Sequence, residues 1–265
     1  MAETGEQQTF RSLITEPYRN FAEDCLRLSQ LLFVLLNFVI LEKVSPFRLD
    51  PSSLLGEDYE KVLEATTGLI NASGYDKWEL GALQMYLPLL AELTLCRAVD
   101  GFLTFLAATL SLIFRTKPET LRSSELERLD FILQFPTMEE LVTALAERRV
   151  DKLSYGGMRE ITKYFEERLG LQLFDAPAEL DAAVRFIEVR NIIVHNRGVV
   201  SSIFKKRLPD ASEQVGDRVS LTPEEIAAQM TYLAKLADRI DARAVDKFGL
   251  PTVCATPSAE AGDKR

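Results

Sequence analysis

The sequence predicts a mainly α-helical protein, because apolar residues recur at three- and four-residue intervals through most of its 265 positions. Two capping patterns support this: Thr137 stands three residues before Glu140, and Thr222 precedes Pro223. Strand patterns are sparse. The best is residues 218–221, which we expect to form one arm of a small β-hairpin. We therefore predict an all-α helical bundle with an added N-terminal helical layer and at most one small hairpin.

The periodic segments predict seven helices in order: 15–44 (ended by Pro46), 57–72, 77–114 (one helix, or two divided at Pro88), 139–150, 155–169, 177–195 and 224–248. We divide the chain into a helical extension of residues 1–75 and a helical domain of residues 76–250. Residues 251–265, rich in Ala, Pro, Ser and Gly, are expected to form a disordered tail.

Composition narrows the class of function. A net charge of -9 disfavours a general nucleic-acid coat, because the surface would repel a polyanion except at a focused site. The three cysteines are far apart and suit a reducing cytoplasm. The first eight residues are polar and acidic, so we expect no signal peptide. The apolar stretches 31–41 and 101–114 are shorter than the roughly 20 residues that cross a bilayer, so we expect no membrane contact.

The segment from Arg190 to His195 holds the only histidine of the chain. Its neighbours are apolar and predict a buried helix, into which charged groups are carried at a cost unless they are paired or used. On such a helix Asn191 and His195 lie on nearly one face. Arg190 points roughly 140° away from His195. It reaches a shared cleft either by curling towards it or from a second copy of the protein.

A run without acidic residues begins at the same segment. Between Glu188 and Asp210 every charged side chain is a cation: Arg190, Arg197, Lys205, Lys206 and Arg207. We expect the last four to hold flanking phosphates of RNA. The alternative is a solvated loop.

Histidine can both take and give a proton near neutral pH, and arginine can hold a phosphate by two parallel hydrogen bonds. Together they are the groups needed to cleave RNA without a metal ion. A positioned acid–base group contributes about 10²- to 10⁴-fold in rate. With one histidine and no cysteine cluster we expect no metal site and no cofactor. The alternative interpretation of the segment is a helix-end histidine bonded to a carbonyl oxygen.

Residues 186–200, FIEVRNIIVHNRGVV, resemble the signature of the HEPN superfamily. That signature is an arginine, a polar residue, a few apolar positions and a histidine, late in a bundle of four or five helices. The similarity extends over about residues 80–248 and includes DGFL at 100–103 and YFEERLG at 164–170. Residues before about 76 lie outside it.

The resemblance implies a metal-independent endoribonuclease, of a kind that is often a toxin or an anti-phage effector, with its active site at a homodimer interface. By position it implies catalytic places for Arg190 and His195, the intervening polar place for Asn191, and an acidic place near the site for Asp100. An antitoxin or another regulatory protein is the implied partner besides RNA. Some members have lost cleavage, so the alternative is a non-catalytic HEPN module that binds RNA or a protein. A purely structural helical subunit is the third hypothesis.

Overall fold

The computed structural model describes residues 11–44, 83–121 and 127–255. Its elements, in chain order, are β1 (Leu13–Ile14), α1 (Glu16–Val44), α2 (Leu83–Thr116), a 3₁₀ turn (Pro118–Leu121), α3 (Leu129–Ile132), α4 (Met138–Gly156), α5 (Met158–Glu167), α6 (Pro177–Asn196), α7 (Ser202–Arg207), α8 (Pro223–Phe248) and β2 (Val253–Cys254). The predicted all-α fold is confirmed.

Helix α2 is the centre of the described bundle, because it packs against α1, α4, α6 and α8. Its buried side chains include Leu95, Phe102, Leu106 and Ile113. A helix covered on several sides is apolar around much of its circumference. Residues 88–116 therefore have the length and apolar composition of a membrane-spanning helix. Half of their most apolar stretch is nevertheless buried inside the protein. We assign this helix to the core.

Helix α1 forms a layer along α2. The Phe21 ring lies 6.1 Å from Phe102 and 5.8 Å from Phe105, measured between centroids, and Tyr18 meets Phe105 edge-on at 6.1 Å. Later residues of α1 contact earlier residues of α2, as in the ion pair between Asp24 and Arg97, so the two helices run antiparallel.

The observed helices differ from the predicted ones in part, and the short helix α3 was not predicted. Within the described chain α2 continues through Pro88, which decides between the two alternatives for that segment. Helix α4 extends to Gly156, and α5 begins only at Met158, because Gly157 adopts a φ of 80° and interrupts the helix. The short helix α7 was not predicted. The predicted helix 57–72 lies outside the described residues.

Both predicted threonine caps are present, but among the described residues Glu140 does not return the bond to Thr137 that a capping box requires. The Thr137 hydroxyl accepts the N–H of Glu140 at 3.2 Å. At α8 the Thr222 hydroxyl accepts the N–H of Glu225 at 3.2 Å, and the Glu225 carboxylate accepts the N–H of Thr222 at 2.8 Å. This reciprocal pair is a capping box, and it fixes the first residue of the helix.

The two described ends of the chain meet. Leu13 pairs with Cys254 and Ile14 with Val253 in an antiparallel ladder. The expectation of a disordered tail is therefore wrong for residues 251–255, where pairing with β1 orders a segment of loop-like composition. Residues 256–265 lie outside the described chain. The predicted hairpin at 218–221 is reduced to a single antiparallel bridge between Val199 and Arg218.

Candidate functional site

Three of the four predicted catalytic residues lie together where α6 packs on α2. Arg190 Nη2 lies 2.8 Å from Asp100 Oδ1, and the two side chains are 24% and 42% exposed. Arg190 Nη1 donates a hydrogen bond to Asn191 Oδ1 at 3.1 Å. Arg190 Nε is buried and has no hydrogen-bond partner among the described residues. The guanidinium of Arg190 is therefore held through its two Nη atoms. The side chain is half-buried, and solvent still reaches it.

The face of α2 that meets α6 carries Glu92, Cys96 and Asp100 at intervals of four residues. Asp100 contacts Arg190, whereas a Cβ atom at Gly198 would lie 3.7 Å from Glu92 Oε1, so α2 and α6 run antiparallel. Burial raises the pKa of the Cys96 thiol, and the charge of Arg190 partly opposes that rise. The middle of this face is thus close to the guanidinium of Arg190.

His195 lies in the last turn of α6 and is exposed. Among the residues that the structure describes, its imidazole forms no hydrogen bond and no ion pair, so bonding to a carbonyl oxygen is not observed there. It follows Arg190 by about 7.5 Å along the helix axis and roughly 140° around it. Within one chain the two side chains therefore point to different sides of α6.

The end of α6 is a left-handed turn. Arg197 has a φ of 53° and Gly198 a φ of 76°. The N–H groups of both residues point to the carbonyl oxygen of Ile192, with Gly198 at 2.9 Å. Glycine adopts this conformation readily, whereas arginine does so rarely. The turn ends the helix directly after His195 and leaves the Arg197 side chain exposed beside it.

The four predicted RNA-binding residues separate into two groups. Lys205 Nζ donates to the carbonyl oxygens of Pro209 and Ala211, and Arg207 Nη1 donates to the Glu188 carboxylate at 2.9 and 3.1 Å. Arg197 and Lys206 are exposed and form no ion pair within the described ranges. These two are the cations that remain available to a phosphate.

Apart from Asp100, sequence reasoning missed the carboxylates that meet the arginines of this region, namely Glu92, Glu188 and Glu213. Glu188 is buried and lies seven residues before His195, hence on the same side of the helix. Four arginines near α6 each meet a carboxylate: Arg185 with Glu213, Arg190 with Asp100, Arg207 with Glu188, and Arg218 with Glu92. The hydrogen bond from Arg185 holds the pKa of Glu213 below its usual value. The spacing of Glu188 from His195 can be found in the sequence. The four arginine–carboxylate pairs depend on the fold.

No group of three or more His, Cys, Asp or Glu side chains that could hold a metal ion occurs in the described part of the chain.

Comparisons of the chain with protein-family models, curated proteins and solved structures find no match.

Proposed function

We propose that this protein is a metal-independent endoribonuclease of the HEPN type that acts as a homodimer. The observation that carries the proposal is the contrast between two side chains of α6. Arg190 is anchored by Asp100 and Asn191, whereas His195, five residues later, is exposed and has no partner in the described chain. An anchored cation and a free imidazole suit the binding of a phosphate and the transfer of a proton.

In the proposed reaction the ribose 2'-oxygen attacks the adjacent phosphorus, and the bond from phosphorus to the 5'-oxygen breaks. His195 takes the proton of the 2'-hydroxyl, and the imidazolium so formed gives that proton to the leaving 5'-oxygen. Arg190 stabilises the negative charge that develops on the phosphorane. The products are a 2',3'-cyclic phosphate and a 5'-hydroxyl. DNA lacks the 2'-hydroxyl and is not cleaved by this route.

A second copy is needed because Arg190 and His195 of one chain point to different sides of α6. Two exposed apolar side chains border the Arg190–Asp100 pair: Leu93 is 58% exposed and Val194 is 51% exposed. By helical geometry Leu93 lies about 20° from Asp100 on α2, and Val194 about 40° from Arg190 on α6. Burial of this surface against its two-fold copy would bring His195 of one protomer towards Arg190 of the other.

RNA reaches the site through Arg197 and Lys206, the exposed cations after the motif that form no ion pair with a described residue. They provide a local attraction on a chain whose net charge is -9. We therefore propose local binding of RNA rather than a broad interface. A toxin or anti-phage effector held by an antitoxin or another regulatory protein, in the cytoplasm, is the corresponding biological role.

One observation favours the alternative, a non-catalytic HEPN module that binds RNA or assembles with a protein. Each of the four arginines around α6 already meets a carboxylate, so RNA must displace Asp100 or share Arg190 with it. A site that stays neutralised in this way would hold RNA without cutting it.

The deciding experiment is incubation of total RNA with purified protein in EDTA, beside His195→Ala and the control Arg159→Ala. Arg159 on α5 forms an exposed ion pair with Asp181 at 2.8 Å, near the start of α6 and away from His195 at its end. We expect cleavage by the parent and by Arg159→Ala, with 2',3'-cyclic phosphate ends, and none by His195→Ala. Equal cleavage by His195→Ala would reject the mechanism. No cleavage by any of the three, with RNA binding retained, would favour the non-catalytic module.

A further inference from the structure

An exposed apolar surface lies on the segment that joins α3 to α4. Leu129 is 68% exposed, Leu133 74% and Met138 73%. The Leu133 N–H donates to the carbonyl oxygen of Leu129 at 3.0 Å, so these two leucines are one helical turn apart on the same side of α3. Met138 begins α4 five residues later. Three large apolar side chains so exposed within ten residues are unusual on a monomer surface and are typical of an interaction site.

Aromatic packing supports this surface from beneath. The rings of Phe131 and Phe135 meet edge-on with centroids 5.1 Å apart, and the Arg148 guanidinium lies 5.1 Å above the Phe131 ring. Arg148 in turn contacts Glu127 at 2.8 Å. These contacts hold the short helix α3 and Glu127 before it against the middle of α4, where Arg148 lies. We name Leu129, Leu133, Met138, Phe131 and Phe135 together the 129–138 surface.

The rim of the 129–138 surface is negatively charged. Glu139, Glu140 and Glu147 are exposed, and none of them forms an ion pair with any described residue. The nearby arginines do not offset them, because Arg128 contacts Asp130 at 2.7 Å and Arg148 contacts Glu127. An apolar centre with three free carboxylates at its edge is therefore the chemistry that a partner meets.

We infer that the 129–138 surface is a docking site for a cationic amphipathic helix of a partner protein. The leucines and the methionine supply the apolar contact, as in helix-in-groove recognition, and the three glutamates pair with lysine or arginine on the flanks of the partner. The charge excludes the other occupants. RNA and an anionic lipid surface carry the same sign as the rim, and a second copy of this chain would bring its own glutamates against it.

The inference is independent of ribonuclease activity. Helix α4 packs on α2 and α5, whereas the Arg190–Asp100 pair lies where α6 meets α2. A partner on the 129–138 surface therefore binds a different side of the molecule from the one that carries Leu93 and Val194. Helices α2 and α5 both pack on α4 and on α6, so they connect the two surfaces.

The test uses a fluorescent synthetic peptide of about 18 residues, or five helical turns, with leucines on one face and lysines on the other. A second peptide has glutamate in place of every lysine. Binding to the full chain is measured by fluorescence anisotropy. We expect the lysine peptide to bind and the glutamate peptide not to bind. Added salt should weaken the complex, because the rim attraction is electrostatic.

Two pairs of substitutions and two matched controls locate the binding. The double change Leu133→Ser and Met138→Ser should raise the dissociation constant of the lysine peptide about tenfold or more, because two apolar anchors are lost. The double change Glu139→Gln and Glu140→Gln should raise the dissociation constant of the lysine peptide a few-fold and reduce the salt dependence of its binding. The controls are Ile203→Ser with Val215→Ser, at 62% and 59% exposure, and Glu166→Gln with Glu167→Gln on α5. They should bind like the parent.

Several results would overturn the inference. They are no binding of the lysine peptide, equal binding of the glutamate peptide, or the same loss in the control variants. Sedimentation provides a separate check. If the Leu133→Ser and Met138→Ser change alters the oligomeric state, the surface is a contact between copies of this chain and the proposed partner is wrong. Because all substituted side chains are exposed, circular dichroism should show an unchanged fold in each variant.

Discussion

Asp100 holds Arg190 at 2.8 Å across the packed faces of α2 and α6. The contact joins the central helix of the bundle to the helix that carries the only histidine. Asp100 also neutralises the positive charge of Arg190, which we propose stabilises the phosphorane. Asp100 therefore has two effects on Arg190, which oppose each other: it positions the guanidinium, and it competes with the phosphate for it.

We expect Asp100→Asn to lower RNA cleavage about tenfold or more, because positioning of the guanidinium outweighs competition in a preorganised site. The free energy of unfolding should fall by less than about 1 kcal/mol, since both side chains are partly exposed. Cleavage rates and urea unfolding measure the two effects. Faster cleavage by Asp100→Asn would identify the carboxylate as an inhibitor of the site.

Mixing inactive variants tests whether the site is shared between protomers. Arg190→Ala and His195→Ala should each be inactive alone. Equal mixing, with exchange of protomers, should restore about one quarter of the parent activity, because half of the dimers are mixed and each has one intact site. The measurement is cleavage by the mixture after brief unfolding and refolding together. No recovery, with mixed dimers shown by mass spectrometry, would contradict a site built from one Arg190 and one His195 of different chains.

Lys206 and Arg207 are neighbours in sequence but should differ in RNA binding. In a His195→Ala background, Lys206→Ala should reduce the slope of log affinity against log salt by about 0.7, the value for one phosphate contact on a single strand. Arg207→Ala should leave that slope nearly unchanged and lower the melting temperature, because it leaves the buried Glu188 carboxylate without its partner. An equal loss of slope in both variants would show that Arg207 leaves Glu188 to bind RNA.

Asp241 should be the most sensitive position of the contact between α8 and the start of the chain. Its side chain is fully buried and accepts hydrogen bonds from Arg11 Nη2 at 2.8 Å, from the Thr15 N–H at 3.3 Å and from the Thr15 hydroxyl. Asp241→Ala should lower the free energy of unfolding by about 3 kcal/mol or more. Asp238→Asn is the matched control, since that side chain is 46% exposed and should contribute about 1 kcal/mol or less. Urea titration compares them.

The three cysteines should react with a thiol reagent in the order Cys254, Cys96, Cys25 at pH 8. Cys254 is exposed, whereas burial raises the pKa of Cys25 to about 11. At pH 8 only about one thousandth of such a thiol is ionised, and the thiolate is the reactive form. Cys254→Ser should remove the fast phase, and denaturant should release the slow one. Comparable rates for Cys25 and Cys254 in the native protein would contradict the described packing of α1.

Long periodic segments were predictable because each buries one face over many residues. Helix α6 was predicted as 177–195 and is observed as Pro177–Asn196, and α8 was predicted to within one residue. Helix α7 was missed, because its six residues contain a single buried side chain, Phe204, and show no period. The pairing of Leu13 with Cys254 was not predictable either, since it joins segments from opposite ends of the chain.

The candidate site was predictable only in part. Arg190 and Asn191 are adjacent in sequence, and the resemblance suggested Asp100, which the structure brings to Arg190. The availability of the cations between Glu188 and Asp210 was misjudged. That segment contains no acidic residue, but in the folded protein it contacts acidic side chains from outside it. Arg207 reaches Glu188 only because α7 folds back along α6. The pattern of residues within α7 does not specify the direction in which the chain folds back.

The ladder between β1 and β2 places the two described ends of the chain side by side, and the Ala255 N–H extends it by donating to the Ser12 carbonyl oxygen at 3.0 Å. Proteins fused to a chain trimmed to residues 11–255 would therefore start next to each other. A short linker between residues 11 and 255 of that trimmed chain would produce a covalently circular protein without moving any described helix. Such a closed chain has fewer unfolded conformations, so circularisation should stabilise this fold through its unfolded state.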